Sequence, residues 1–123
     1  MTSYERGAVV LVPFPFSERP VTKKRPAVVV SSEAYHEASD DVIIAQITSK
    51  LAVRPRSGDH RVAAWQEAGL VTPSLVRVKL ATLDGGLILR RLGTMPSPDM
   101  RAIDRGLVVA LSLTKNPREE KHG

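Results

Sequence analysis

The sequence contains no cysteine, which excludes disulfides, thiolate metal sites and cysteine nucleophiles. Aromatic residues are scarce at 4%. Tyr4, Phe14, Phe16 and Tyr35 fall in the first third, and Trp65 stands alone beyond it. No apolar run approaches the roughly 20 residues of a membrane-spanning helix, so no membrane partner is expected. Residues 1–7 include Glu5 and Arg6 and lack the apolar centre of a secretory signal, which makes the cytoplasm the expected compartment. The three histidines, His36, His60 and His122, form no metal-ligand pair with a neighbouring carboxylate. Each reads as a surface residue, and neither a metal nor any other cofactor is expected. There is no glycine-rich phosphate loop and no serine in a nucleophile elbow, so most familiar enzyme classes drop out.

What remains is a basic chain of 123 residues, with net charge +5 and a pI near 10.0. That length suits one domain with a single core. Apolar residues at 42% and charged residues at 25% are ordinary globular usage. The charge favours a polyanionic partner, with nucleic acid the commonest.

Punctuation by proline and glycine predicts many short strands. Ala8-Val9-Val10-Leu11-Val12 is a valine-rich run closed by Pro13 and Pro15. A second β-branched run covers 26–32, after the basic turn Val21-Thr22-Lys23-Lys24-Arg25. A third covers 42–48, with Ile43, Ala45 and Ile47 expected to face the core and Gln46 and Thr48 to share the other face. Residues 50–60 read as a polar, mobile loop, with a weak strand near 61–64. Over 74–80, Val76, Val78 and Leu80 alternate with Arg77 and Lys79, the pattern of a half-buried strand. Asp84-Gly85-Gly86 reads as a hairpin turn into a strand over 87–92. The final element is a helix with Ser97 as N-cap, Pro98 in its first turn and Asp99 at the positive end of its dipole. Met100, Ile103, Leu107, Val108 and Leu111 form its apolar stripe. Pro117 and a frayed charged tail over 115–123 follow a domain of residues 1–114. The expected fold is mainly β, five to seven strands in a twisted sheet or small barrel packed by the helix.

Two places could carry chemistry. Lys23-Lys24-Arg25-Pro26 runs straight into a valine strand. It is either a solvated basic turn or a rigidly mounted arginine whose planar fork suits a phosphate. Thr48-Ser49-Lys50, at the exit of the third strand, is either a turn-forming strand end or a hydroxyl cluster beside a cation, suited to a phosphoryl oxygen.

As an ordered set, Gly7-Ala8-Val9-Val10-Leu11-Val12-Pro13-Phe14-Pro15-Phe16, Lys24-Arg25-Pro26-Ala27-Val28-Val29-Val30-Ser31 and Gln46-Ile47-Thr48-Ser49 resemble the PemK/MazF toxin family. Trp65-Gln66-Glu67-Ala68-Gly69-Leu70, Pro73-Ser74 and the 92–99 approach to the helix resemble one branch of it. The resemblance implies an SH3-like β-barrel with a C-terminal helix, acting as a homodimer. It further implies the toxin of a type II toxin–antitoxin system, an endoribonuclease that cuts single-stranded RNA without a metal. In that chemistry the 2′-hydroxyl attacks the adjacent phosphate, leaving a cyclic phosphate and a free 5′-hydroxyl. By motif, Arg25 and Thr48 match the family's catalytic pair. Phe14, Phe16, Lys23, Lys24, Ser49 and Lys50 are the expected substrate contacts. Many relatives carry an acid on the strand after the mobile loop; here that place reads Val76-Arg77-Val78-Lys79. Arg77 and Lys79 could bind phosphate or simply face solvent.

A cognate antitoxin is the implied protein partner, with operator DNA reached only through it. The dimer interface would use residues 103–111 and 87–92. Two further readings stay open on this barrel: a nucleic-acid-binding or catalytically weak regulator acting with its antitoxin, and a poison of a protein target, as one topoisomerase poison of this architecture is.

Overall fold

The computed structural model describes residues 4–14, 23–51 and 54–113. Phe16 and the tail over 115–123 therefore lie outside the described residues. In chain order the elements are β1 (Ala8–Phe14), β2 (Lys23–Val29), α1 (Glu33–Ala38), β3 (Asp41–Thr48), β4 (His60–Arg61), β5 (Leu75–Asp84), a 3₁₀ turn (Gly85–Leu87), β6 (Arg90–Thr94) and α2 (Ser97–Leu111). All strand pairings are antiparallel and build one curled six-stranded sheet, ordered β4-β5-β3-β2-β1-β6.

The expected mainly-β fold with a C-terminal helix is what forms, but its core lies on both faces of the sheet. Val10, Val12, Ala27, Val29, Val42, Ile44 and Leu83 pack on one face. Val9, Val28, Ala45, Ile47 and Val76 pack on the other with Ala68, Leu70, Met95 and Ile103. The valine runs are thus apolar at consecutive positions because the central residues of β1, β2 and β3 are packed on both faces. This corrects the one-sided reading of β3. Val42 and Ile44 are fully buried, whereas Ile43 is only partly so.

The expected hairpin at Asp84 does not form. The Asp84 side chain accepts from the Gly86 amide and starts the 3₁₀ turn, and β6 then leaves β5 to pair with β1 at the opposite edge. α1 had no signature in the sequence, since its six residues are too few to show a period. The Ser32 hydroxyl caps it by accepting from the Tyr35 amide.

On β5, burial fades from Val76 through Val78 to Leu80, which is exposed where the strand passes α2. In α2, Pro96 rather than Ser97 holds the N-cap position and no side-chain cap forms. Of the expected stripe only Ile103 is fully buried; Met100, Leu107 and Val108 are partly so and Leu111 is exposed.

The motif Trp65–Leu70 is a turn pressed onto the start of β6. Gly69 has φ +85°, and a Cβ there would lie 2.1 Å from the Leu92 carbonyl oxygen. Only glycine allows the two backbones to come so close.

Candidate active site

Arg25 and Thr48 stand at the ends of neighbouring strands. Ala27 pairs with Gln46 across β2 and β3, and strand alternation puts Arg25 on the face of Ala27 and Thr48 on the face of Gln46. Both therefore project to the same face, two residues beyond the last β2–β3 pair, where the strands open. Pro26 follows Arg25 and fixes the backbone behind it. Arg25 is partly buried, and among the described residues no carboxylate lies within ion-pairing distance of it. Among the described residues its guanidinium is uncommitted.

Thr48 is buried, 7% exposed, and its Oγ1 accepts from the Lys50 amide at 3.2 Å. The chain then turns tightly, with the Leu51 amide donating to the Ser49 carbonyl at 3.0 Å. The Lys50 bond holds the hydroxyl in place and occupies one acceptor position, which leaves its hydrogen available to donate. Ser49 and Lys50 are exposed on this turn.

The remaining expected residues divide. Lys23 lies on the Arg25 face, opposite Phe14 in the β1–β2 pairing, whereas Lys24 alternates to the other face. Lys79 is exposed, but Arg77 is largely buried, its Nε 3.6 Å from the Asp59 carboxylate. Asp59 is more deeply buried still and accepts from the Arg56 amide at 2.8 Å. The Arg77 Nη2 has no hydrogen-bond partner among the described residues. Asp59 thus brings a carboxylate to the 75–80 part of β5, which has none of its own. Next to it β5 bulges, residues 77–79 facing the single residue Gln46 of β3.

Two histidines expected at the surface are structural. His36 is buried against the Ser31 hydroxyl, which also accepts from the Ile43 amide. His60 Nε2 donates to Asp99 Oδ1 at 2.7 Å. Asp99 is almost wholly buried and also accepts from the amides of Ala63 and Ala64 at 2.7 and 3.0 Å. Burial alone would raise its pKa, but these hydrogen bonds and the His60 imidazole outweigh that and hold the carboxyl below the usual aspartate value. The sequence pattern marks Asp99 only as a charge at the helix dipole; its companion is His60, whose place beside a short strand carries no local sign of that partner.

An arginine and a hydroxyl stand on one face of a curled sheet, with exposed Lys23 and Lys50 near them, an arrangement of donors whose chemistry suits a phosphate. No helix among the described residues is long and apolar enough to cross a membrane. Over residues 5–111 the chain matches the PemK-like, MazF-like toxin family of type II toxin–antitoxin systems, and it belongs to that family. No curated protein matches the sequence. Among solved structures the fold is similar to an endoribonuclease in complex with its cognate antitoxin from a mycobacterial species (TM-score 0.73, 19% identity, covering 93% of this chain and 100% of that one). It is also similar to the Mycobacterium tuberculosis toxin MazF-mt6 (TM-score 0.70, 20% identity, 88% and 99% covered). MazF from Deinococcus radiodurans is a third similar structure (TM-score 0.68, 19% identity, 89% and 96% covered).

Proposed function

We propose that this toxin is an endoribonuclease that cleaves single-stranded RNA by attack of the 2′-hydroxyl on the adjacent phosphate. The observation that carries this reading is the placement of Arg25, which has no ion-pair partner among the described residues, and the Thr48 hydroxyl on one face, two residues beyond the last β2–β3 pair. As the O2′–P bond forms and the P–O5′ bond breaks, negative charge gathers on the phosphoryl oxygens. Arg25 offers that charge a planar fork of donors and Thr48 a single fixed one. A guanidinium stays protonated at any working pH, so Arg25 acts as cation and donor rather than as base. The 2′ proton leaves to solvent and O5′ takes one up, giving a cyclic phosphate and a free 5′-hydroxyl. No step calls on a metal. Lys23, Ser49, Lys50 and Lys79 are exposed and add salt-sensitive contacts to the strand. Two similar solved structures, the mycobacterial endoribonuclease and MazF-mt6, carry an RNA-cutting or toxin description on the same fold, which supports the reading.

The protein acts as a homodimer in the cytoplasm and is silenced by a cognate antitoxin, through which it reaches operator DNA. The test is incubation of purified protein with a long single-stranded RNA in EDTA, beside Arg25→Ala and Thr48→Ala, with the cut ends mapped. Site-selective cuts that survive EDTA and disappear in both variants support the proposal. Absence of cuts by folded, antitoxin-free wild type on several RNAs overturns it and turns attention to a protein target.

A further inference from the structure

Arg61 occupies a position that no motif singles out. It pairs with Leu75 across β4 and β5, and Leu75 pairs with Thr48 across β5 and β3. Residues directly opposite in an antiparallel ladder share a face. Arg61, Leu75 and Thr48 therefore form one row across three strands, on the face that also holds Arg25. Two strand spacings put the Arg61 and Thr48 backbones about 10 Å apart.

The middle member of the row is a buried leucine, 2% exposed, so the two polar members of the row are its ends, Thr48 and Arg61. Arg61 itself is exposed, and among the described residues it has no ion-pair partner. Arg77, two residues beyond Leu75 on β5, is already engaged by Asp59. Asp59 precedes Arg61 by two residues, and His60 between them is anchored to Asp99 on the opposite face. That anchor fixes the short strand, and with it the direction in which Arg61 leaves the sheet.

We propose that Arg61 is a substrate-binding residue that grips a phosphate of the RNA strand neighbouring the one held by Arg25 and Thr48. The strand would run across the sheet along this row, from β2 over Thr48 to the β4 edge, with cations at both ends. The inference rests on the nuclease reading above and adds to it a direction for the substrate.

The test uses an RNA oligonucleotide spanning a mapped cut site, with a single 2′-deoxy substitution at the scissile nucleotide so that the attacking hydroxyl is missing. Its affinity for wild type, Arg61→Ala and Arg61→Lys is measured over a salt series, with thermal melts confirming that the variants fold. Arg61→Ala is expected to bind about tenfold more weakly. The slope of log affinity against log salt should fall by about 0.7, the value for one phosphate contact on a single strand. Arg61→Lys should keep the slope and recover part of the affinity. Equal affinity and equal slope for wild type and a folded Arg61→Ala would overturn the inference and leave Arg61 as a charge guarding a sheet edge, while wild-type cleavage keeps the nuclease reading intact. A wild type that neither cuts nor binds the RNA sinks both.

Discussion

Gly106, in the interior of α2, lies directly against the backbone of Gly58: a Cβ on Gly106 would sit 2.3 Å from the Gly58 carbonyl oxygen. Gly58 has φ +95°, and a Cβ on it would meet Val78 at 2.9 Å and the Gly106 carbonyl at 3.0 Å. The contact seats the segment before β4 on the helix and so sets the position of Asp59. Replacing a mid-helix glycine by alanine ordinarily adds about 1 kcal/mol to helix stability. Here Gly106→Ala should lower stability by about 1–3 kcal/mol, because two backbones must separate. A denaturant melt decides the sign, and a stabilised variant would contradict the contact.

Asp99 joins α2 to the turn after β4 through His60 and the amides of Ala63 and Ala64. Asp99→Ala leaves these buried donors without an acceptor and should cost about 2–4 kcal/mol. The folded carboxyl titrates below the unfolded one. Its contribution is therefore complete above the usual aspartate pKa and is lost as pH falls through the lower, folded value. Stability measured from pH 7 downwards should decline in that acid window, and less steeply in Asp99→Asn.

At the site, Arg25→Ala and Thr48→Ala should each lower cleavage by about 10²–10³ with little change in melting temperature. Thr48→Ser should retain much of the rate because it keeps the hydroxyl. Arg25→Lys should not, since an ammonium cannot reproduce the planar fork. Rates measured by the appearance of new 5′-hydroxyl ends separate these outcomes.

Leu87 and Leu89, about half exposed before β6, are apolar surface that a second copy would cover. Wild type should run as a dimer in light scattering, and Leu87→Lys with Leu89→Lys should shift it to monomer. A monomeric wild type at micromolar concentration would rule out this interface.

Much of the fold was legible because valine, proline and glycine act locally. Pro13 near the end of β1, Pro26 behind Arg25 and the β-branched run of β3 each declare an element without reference to the rest of the chain. Facing was less legible. A strand buried on both sides has no alternation to read, so Val42 and Ile44 could not be assigned a face. The β6 crossover was hidden because Asp84-Gly85-Gly86 has hairpin chemistry, and only the place open beside β1 sends the chain to the other edge. For the site, motif order pointed to Arg25 and Thr48. The buried partners of Arg77 and His60 come from residues 18 and 39 positions away, a distance at which no local pattern survives. Arg61 gained meaning only from its register.

Glu5 and Arg6 tie the start of the chain to its end, Glu5 to Arg91 of β6 and Arg6 to Asp104 of α2. β1 completes its pairing only with β6, from the last third of the sequence. Contacts of such long sequence separation close late, because the loop entropy must be overcome before they contribute. On the ribosome, where synthesis proceeds from the N-terminus, β1 can meet β2 early but must wait for residues beyond 104 before its other edge and the helix arrive. The sheet that carries Arg25 and Thr48 therefore closes only after α2 has been made, and the nascent toxin stays unassembled until that helix has left the ribosome.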